Sequence, residues 1–245
     1  MVSSGEPRAA QPGGNGAAAG VPPSASGGSE RVSSRVRKQP EERRAEILTE
    51  AARIALEEGL ERITLRAVAD RLGVRPGLIS HYFPAAEDLV AAAFVLAITG
   101  EREHLFSVSG DPLERLVVFV QRMQFEEEGF SRLWLNARHL ARFTPALADA
   151  IEEQEGLDRG RLAEVIEAGC ADGVFTVEDP FEACVRIFMA VDGFGSYAND
   201  PAPFEHAAYV HFVADVCEWA LGLTPGTLRE RVSHRYTQQA DGGIL

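Results

Sequence analysis

The chain is poor in cysteine, with three among its 245 residues. Cys170, Cys184 and Cys217 are odd in number and far apart, which argues against a disulfide framework and against a Cys-x-x-Cys metal site. We therefore expect free, buried thiols. The sequence predicts no metal site and no other cofactor.

A long apolar run is also lacking. No stretch approaches the roughly 18 apolar residues that a membrane-spanning helix needs. Residues 1–10 have neither the basic start nor the apolar core of a signal peptide. With 45% apolar residues and a formal net charge of −13, we expect a soluble, cytoplasmic protein that makes no membrane contact and has a core of useful size.

Positive charge is scarce and unevenly placed, with 24 Lys and Arg residues against 37 Asp and Glu residues. Residues 31–100 carry 11 basic and 10 acidic side chains, whereas residues 101–245 have a net charge of −13. Contacts to phosphate provide most of the non-specific affinity for nucleic acid. The acidic C-terminal part is therefore a poor candidate for a nucleic-acid surface, and residues 31–100 are the better one.

Strand-like alternation of apolar and polar residues is absent as well. Every apolar stretch after residue 39 follows the helical period, so we expect an all-α fold. The predicted helices cover residues 40–58, about 64–72, 76–83 and from 86 toward 100, then 112–126, 130–142, 146–171, 180–197, 203–221 and, weakly, 225–235.

The first 39 residues consist largely of Gly, Ser, Pro and Ala without apolar periodicity. They cannot bury enough surface to offset the entropy of ordering, and we expect a disordered arm. Its end carries Arg31, Arg35, Arg37 and Lys38 with no acidic residue among them. This run is either a solvated cluster on a tail or a contact for phosphates.

The segment from Thr64 to Phe83 has the spacing of a helix-turn-helix. Thr64 is a capping residue, an apolar stripe follows on a short helix, and Gly73 makes the turn. Pro76 then opens a second short helix. An ordinary helical hairpin, which shows the same pattern, is the alternative.

At about 100° per residue, the second helix has two unlike faces. Pro76, Ile79 and Phe83 are predicted to share the inward side. The outward side carries Gly77, Leu78, Ser80 and His81. Glycine permits close approach of the backbone, Ser and His donate hydrogen bonds to phosphate oxygens, and Leu can contact a thymine methyl group. This face suits a DNA groove better than a packed core.

The stretch Ile63-Thr-Leu-Arg-Ala-Val-Ala-Asp-Arg-Leu-Gly-Val-Arg-Pro-Gly-Leu-Ile-Ser-His-Tyr-Phe83, followed by Pro84-Ala-Ala-Glu-Asp-Leu89, resembles the DNA-binding signature of TetR-family transcriptional regulators. The resemblance covers about residues 41–94 in detail, with its separate elements in register. It implies that the helix near 64–72 supports a helix near 75–82 that contacts bases in the major groove. It also implies that the acidic helical bundle binds a small effector and forms a homodimer.

The resemblance divides the chain into four parts. Residues 1–39 are the expected arm, 40–86 the helix-turn-helix DNA-binding domain, 87–222 the effector-binding and dimerisation domain, and 223–245 a C-terminal tail. The expected function is that of a ligand-responsive homodimeric repressor, released from palindromic operator DNA by a small molecule. A transcriptional activator or a protein-interaction module on the same fold is the alternative.

Positive charge is expected around the outward face from Arg75 and, on the preceding helix, from Arg66 and Arg71. The predicted DNA-binding residues are Thr64, Arg66, Arg75, Pro76, Gly77, Leu78, Ser80, His81 and Tyr82. Two positions depart from the family pattern, because many members have Tyr where Ser80 stands and Lys where Ala86 stands. Ser80 can still donate a hydrogen bond to a phosphate, but Ala86 cannot. We hypothesise that the basic residues 31–38 compensate by lying in a minor groove.

Candidates for an effector pocket are aromatic, adaptable or polar-tipped residues of the bundle. They are Phe106, Met123, Phe130, Trp134, Arg138, His139 and Phe143. Taken singly, each is more often an ordinary core residue. The identity of the ligand does not follow from the sequence.

Candidates for a dimer interface lie on two apolar faces, one in each of the predicted helices 180–197 and 203–221. They are Phe181, Cys184, Ile187, Phe188, Val191, Phe204, Ala208, Phe212 and Val216. Core packing within one chain accounts for part of each face. The resemblance implies that the rest pairs with a second copy in a four-helix interface.

Catalysis is not expected. Glu101 and His104 match one Glu-x-x-His element, but a di-iron bundle needs two. His206 and His211 do not share a helix face. The sequence has no Gly-x-Ser-x-Gly elbow, no phosphate-binding glycine loop and no His-Glu-x-x-His element.

Overall fold

The computed structural model describes residues 39–125, 128–197 and 206–242, and the regular structure within these ranges is entirely helical. The α-helices are α1 (Pro40–Glu58), α2 (Leu65–Leu72), α3 (Pro76–Tyr82), α4 (Ala86–Leu105), α5 (Pro112–Phe125), α6 (Glu128–Ala141), α7 (Pro145–Ala171), α8 (Pro180–Gly195), α9 (Ala207–Val210), α10 (Phe212–Ala220) and α11 (Thr227–Gly242). A short 3-10 turn, Leu60–Arg62, follows α1. The all-α prediction is confirmed.

Prolines and capping side chains set several helix starts. Pro40, Pro76, Pro145 and Pro180 each stand in the first turn of a helix, where the missing N–H is not needed and the fixed φ suits the helix. The hydroxyl oxygen of Thr64 accepts a hydrogen bond from a backbone N–H in the first turn of α2, at 3.0 Å. These local signals explain why the helix starts were visible in the sequence.

Helices α1, α2 and α3 form a small head. Ile47 and Ile54 of α1, Val68 of α2 and Ile79 of α3 are fully buried in one apolar core. Gly73, between α2 and α3, has a φ of 63°, a left-handed conformation that glycine adopts without strain. That conformation lets the chain turn sharply from α2 to α3.

Helix α4 extends the core of the head into the bundle. Leu89, Phe94 and Ile98 of α4 are fully buried, and the same core includes Leu133 of α6 and Leu147 of α7. The predicted boundary at residue 86 is therefore not a gap in the packing, because the head and the first part of the bundle share one core.

A second apolar core lies between helices α5, α7, α8, α10 and α11. Leu116, Leu162, Ile187 and Val213 are fully buried within it. Helices α8 and α10 pack directly on each other. The second core thus holds together the helices that follow the head.

The helix predictions need two corrections near the C-terminus. The helix predicted over 203–221 is two helices, α9 and α10, which meet at His211, and residues 201–205 lie outside the described residues. The helix predicted weakly over 225–235 is α11, which is longer than predicted and is not a loose tail, because its Leu228 and Val232 are buried in the second core. The largely polar sequence of this segment hid its two anchoring residues.

A buried carboxylate anchors α11. Glu218 of α10 is only 4% exposed and accepts hydrogen bonds from the backbone N–H groups of Gly226, Leu228 and Arg229 at 2.7, 2.7 and 3.0 Å. N–H groups at the start of a helix have no partner within the helix itself. The carboxylate supplies that partner and joins α10 to α11.

The described helices include none that alone is long and apolar enough to span a membrane; α3 and α4 pass that test only when taken together, across a bend of 74°. Within the same residues, no three His, Cys, Asp or Glu side chains are grouped as a metal ion would require. All three cysteines are free. Cys184 and Cys217 are buried as expected, whereas Cys170 is half-buried.

Candidate nucleic-acid interface and internal cavity

Helix α3 presents two unlike faces. Ile79 is fully buried, whereas Gly77, Ser80 and His81 are exposed. A Cβ atom added to Gly77 would meet no other atom within 4 Å, so this side of the helix is open. Pro76, which was predicted to point inward, is exposed as well. The exposed side therefore extends from the start of α3 to its last turn.

The polar groups of α3 are held close to the helix surface. The Ser80 hydroxyl donates to the carbonyl oxygen of Gly77 at 3.2 Å, a long local bond that another acceptor could replace. The His81 ring stands edge-on to the ring of Tyr82, with centroids 5.2 Å apart. Tyr82 and Leu78 are half-buried, and Tyr82 packs on the core of the head.

Two arginines and a threonine extend this surface. Arg75, directly before α3, is exposed. The side chain of Arg66 on α2 is 84% exposed, with its Nε 3.7 Å from the Asp70 carboxylate. Thr64 is exposed at the start of α2, and its hydroxyl proton is available for a phosphate because only its oxygen is used in the cap.

Arg71 does not join this surface. Its guanidinium group donates to Glu57 at 3.0 Å and to Glu50 at 3.4 Å, and it also pairs with Glu58. The hydrogen bond from Arg71 lowers the pKa of Glu57. The prediction that Arg71 adds positive charge to the DNA-facing side is wrong, because α2 packs with this side chain turned toward α1.

The start of α4 offers no basic side chain. Ala85 precedes the helix, Ala86 opens it, and both are exposed. Glu87 and Asp88 follow in the first turn, where carboxylates interact favourably with the helix dipole. No side chain from Ala85 to Asp88 can therefore donate a hydrogen bond to a phosphate.

A cavity of about 170 Å³ lies between α4, α5, α6, α7 and α8. Four predicted effector residues line it: Phe106, Met123, Trp134 and Arg138. Most of the remaining wall is aromatic or aliphatic, and one part of it carries charged side chains. The arrangement is that of an apolar site with a few polar groups, as ligand sites commonly have.

The structure places the other three predicted effector residues outside this cavity. Phe130 is half-buried against the core of the head, His139 is exposed, and Phe143 is 69% exposed. His139 lies on another face of α6 than Trp134 and Arg138, and Phe143 follows the helix. Phe130, one turn before Trp134, packs on the core of the head instead.

Charged side chains of four helices meet at one part of the cavity wall. A carboxylate oxygen of Glu101 accepts a hydrogen bond from Nε1 of Trp134 at 3.2 Å. Arg138 pairs with Asp192 at 2.9 Å and with Glu155 at 3.2 Å. The Arg138 guanidinium carbon also lies 5.2 Å from the centre of the Trp134 ring. Helices α4, α6, α7 and α8 are thus joined at this wall.

A buried ion pair lies directly behind it. Arg102, 6% exposed, donates to the carboxylate of Asp158 and, at 2.7 Å, to the side-chain oxygen of Gln154. Burial raises the pKa of Asp158, although Arg102 acts in the opposite direction. Burial likewise raises the pKa of Asp192, against the effect of Arg138.

The carboxylates of this wall were missed in the sequence. Glu101 is the informative case, because it continues the apolar stripe of α4 formed by Phe94, Ile98 and Leu105 at helical spacing. An acidic residue in register with a buried stripe was the available signal. Asp158 likewise lies in register with buried residues of α7, Ile151, Gln154, Leu162 and Val165, whereas Asp192 carried no comparable signal.

Helices α8 and α10 expose large apolar side chains. Phe181 and Met189 of α8 are 64% and 71% exposed, and Phe212 and Trp219 of α10 are 43% and 66% exposed. The two helices lie side by side here, since a Cβ atom on Gly193 of α8 would lie 4.0 Å from the Phe212 ring and the guanidinium carbon of Arg186 of α8 lies 4.6 Å from the centre of the Trp219 ring. Exposed apolar patches of this kind mark interaction surfaces.

Other predicted dimer residues occupy different places. Cys184 and Ile187 are fully buried in the core of their own chain and offer no surface to a partner, which corrects their assignment. Phe188 and Val191 line the cavity. Ala208 is exposed and Val216 is half-buried, whereas Phe204 lies outside the described residues. Met189 and Trp219 were missed because the sequence does not distinguish the two sides of a largely apolar helix.

An exposed second helix after a glycine turn, on a three-helix head joined to a helical bundle, defines a helix-turn-helix DNA-binding protein. The model of the family described as bacterial regulatory proteins, tetR family, matches residues 47–93, which include α2 and α3. Residues 47–93 therefore match the DNA-binding region of TetR-family regulators, and the chain is a DNA-binding transcriptional regulator. The resemblance noted in the sequence is confirmed.

Similar proteins agree with this assignment. The HTH-type transcriptional repressor KstR2 of Mycolicibacterium smegmatis is 26% identical over 142 residues, covering 56% of this chain and 69% of that protein. KstR2 of Mycobacterium tuberculosis is 28% identical over 148 residues, covering 58% and 73%.

Solved structures share the fold. A TetR transcription regulator from Haloarcula marismortui has a TM-score of 0.60 at 20% identity, over 74% of this chain and 97% of its own. The fatty acid degradation regulator FadR from Bacillus halodurans has a TM-score of 0.58 at 20% identity, over 76% and 97%. The similarity therefore extends from the head through the bundle.

Proposed function

We propose that the protein is a homodimeric transcriptional repressor that binds a palindromic operator and is released from it by a small molecule. The open face of α3 carries this proposal, since Gly77, Ser80 and His81 are exposed while Ile79 anchors the helix. The names of the KstR2 relatives support repression rather than activation. The proposal involves no catalytic step and places the protein in the cytoplasm.

Recognition of DNA rests on close approach of α3 to the major groove. The bare backbone at Gly77 allows contact with a groove wall, and Ser80 and His81 supply hydrogen-bond donors for base edges or phosphates. Arg75 and Arg66 provide charge for the phosphates on either side. Thr64, Pro76, Leu78 and Tyr82 complete the proposed surface.

Dimerisation follows from the size of the recognition element and from the exposed apolar surface. Helix α3 has seven residues and contacts too few bases to select a site alone. Two copies related by a twofold axis contact two half-sites. The exposed side chains of Phe181, Met189, Phe212 and Trp219 supply a surface that a second copy can cover.

Effector binding is proposed for the cavity among α4 to α8. Glu101 on α4 lies in its wall, and Arg102 beside it bonds to α7. Only three residues separate α3 from α4, so a shift of α4 moves the DNA-contacting helix. The effector must bind the released form more tightly, with a typical coupling of about 1–3 kcal/mol.

The N-terminal arm, residues 1–39, is proposed to bind phosphates through Arg31, Arg35, Arg37 and Lys38; apart from Gln39, it lies outside the described residues. Deleting residues 1–38 should weaken operator binding. It should also flatten the dependence of log K on log salt by about 0.9 for each phosphate that the arm neutralises. An unchanged slope would contradict a role of the arm in DNA binding.

The proposal is tested by selecting fragments of the source genome with the purified full-length protein at about 0.15 M salt. The wild type should enrich one palindromic sequence. Gly77→Glu should abolish the enrichment, because it brings a negative charge against the phosphates, and His81→Ala should weaken it.

Gly156→Glu is the matched control. Gly156 is an exposed residue of α7 whose added Cβ, like that of Gly77, meets no atom within 4 Å. The control adds the same charge far from α3 and should enrich the same sequence as the wild type. Enrichment by Gly77→Glu, or no enrichment by the wild type, would refute operator recognition by α3.

A further inference from the structure

The cavity wall carries more negative than positive charge. Four carboxylates, Glu101, Glu155, Asp158 and Asp192, and two guanidinium groups, Arg138 and Arg159, line it. The wall therefore has a formal excess of two negative charges. When Arg102, which lies behind the wall and pairs with Asp158, is included, one negative charge remains in excess.

The arginines of the wall are already engaged by carboxylates. Arg138 binds Asp192 at 2.9 Å and Glu155 at 3.2 Å, and Arg159 binds Glu155 at 3.4 Å. An anionic ligand would have to compete with these carboxylates for each guanidinium group. It would also approach Glu101, which is 4% exposed and lies in the same wall.

Burial makes the charged forms of Glu101 and Asp158 costly in free energy, since charged groups lose hydration inside a protein, whereas the Asp192 side chain is 44% exposed. The pKa of Asp158 and that of Asp192 are both raised, with burial as the largest cause. A further positive charge in the cavity would stabilise both carboxylates.

Another part of the wall is aromatic. The rings of Phe106 and Phe119 are stacked with centroids 5.4 Å apart, and Phe188 meets Phe119 edge-on at 6.2 Å. Met123 and Leu105 complete this side. Such a wall receives an apolar group, and aromatic faces also attract organic cations.

We propose that the cavity takes a small organic cation with an apolar tail, of the alkylammonium class, as the effector. The charged group lies beside Glu101 and Asp192, and the tail lies against Phe106, Phe119 and Phe188. The volume of about 170 Å³ limits the ligand to a small molecule. This inference rests on the proposed effector role of the cavity.

The test compares three probes that each have a six-carbon chain and differ in charge: hexyltrimethylammonium, hexanoate and hexanol. Their binding to the full-length protein is measured by isothermal titration calorimetry without DNA. The cation should bind at least about tenfold more tightly than the anion or the alcohol. Tighter binding of the anion or the alcohol, or binding of none of the three, would overturn the cationic class.

Variants locate the site. Glu101→Gln should weaken binding of hexyltrimethylammonium by about tenfold and leave that of hexanol unchanged. Asp192→Asn, at the more exposed end of the wall, should act in the same direction and serves if Glu101→Gln does not fold. Glu152→Gln, an exposed α7 residue outside the cavity, is the control with an equal change of charge. Equal effects of Glu152→Gln and the two wall variants would refute the site.

Two assays distinguish a failure of the inference about the ligand class from a failure of the proposed repressor function. Operator binding is measured on the same preparations in a separate assay without a probe. Loss of cation preference with intact operator binding would overturn only the inference about the ligand. Intact cation preference with no operator binding would instead overturn the proposed repressor.

Discussion

The side-chain oxygen Oδ1 of Asn136 accepts a hydrogen bond from the backbone N–H of Leu60 at 2.7 Å. Leu60 lies in the turn after α1, whereas Asn136 lies on α6. On the same helix, Trp134 lines the cavity and Leu133 is buried in the core of the head. Helix α6 therefore contacts both the cavity and the DNA-binding head, as α4 also does.

Asn136→Ala removes the acceptor for a buried N–H group and should lower the free energy of unfolding by about 1–3 kcal/mol. Asn136→Asp retains an acceptor and should keep most of the stability. Urea denaturation measures both values, and hydrogen exchange of the Leu60 amide should become faster only in the alanine variant. Equal stability of the two variants would show that the bond contributes nothing.

Two arginines on α2 should behave in opposite ways. Arg66→Ala should reduce the slope of log K against log salt for operator binding by about 0.9, because the variant neutralises one phosphate fewer. Arg71→Ala should leave that slope unchanged and reduce thermal stability, because Arg71 pairs with Glu50, Glu57 and Glu58. Filter binding over a range of salt concentrations gives the slopes, and the same change of slope in both variants would contradict the geometry.

Trp219→Glu should convert the dimer into a monomer, because it places a charge in the exposed apolar surface of α8 and α10. Operator affinity should fall with it, since each monomer contacts only one half-site. Phe143→Glu is the control, as Phe143 is 69% exposed but lies on the turn between α6 and α7. Sedimentation equilibrium should show a dimer for the control, and a dimeric Trp219→Glu variant would exclude this surface.

Glu218→Gln should lower the free energy of unfolding by about 1–3 kcal/mol, because one carboxylate oxygen that accepts backbone N–H groups becomes a donor. Glu218 is buried and holds the start of α11. Glu230→Gln, on the exposed side of α11, should leave the stability within about 0.5 kcal/mol of the wild type. Urea denaturation of both variants checks the difference, and equal values would mean that α11 contributes little to the fold.

Thiol labelling should distinguish Cys170 from the two buried cysteines. Burial raises the pKa of Cys184 to about 11 and also raises that of Cys217. At pH 8 the thiolate fraction of Cys184 is about one thousandth, and it grows about tenfold with each pH unit toward the pKa.

Iodoacetamide at pH 8 should therefore label mainly Cys170, which is half-buried, in the native protein and all three cysteines in urea. Mass spectrometry counts the labels. A Cys170→Ser variant should lose the fast reaction. Fast labelling of Cys184 in the folded protein would contradict its burial.

The helix-turn-helix was readable in the sequence because its signals are local. Thr64 caps a helix, Gly73 permits a left-handed turn and Pro76 starts the next helix, so each element depends on its immediate neighbours. With Ile79 taken as the inward direction, helical periodicity placed Gly77 and His81 on the outward side, and both are exposed. Even here, the pairing of Arg71 with α1 lay beyond the pattern, because it depends on how α2 packs.

Only part of the cavity and of the exposed apolar surface of α8 and α10 could be predicted from the sequence. Periodicity shows that a helix has an apolar side, but it does not show whether that side meets the chain's own core, a cavity or a second copy. Ile187 and Met189 illustrate this, since both are apolar residues of α8, yet Ile187 is fully buried and Met189 is 71% exposed. The crossing positions of neighbouring helices decide between these outcomes.

By itself, the sequence determined the all-α class, most helix starts, the DNA-binding head and the family, because these depend on capping, turn residues and spacing along the chain. Only the tertiary structure decided that Glu101, Asp158 and Asp192 share one cavity wall, that Glu218 anchors α11 and that Trp219 is exposed. Those arrangements join residues far apart in the chain. They arise from packing between helices, for which a single sequence carries no local signal.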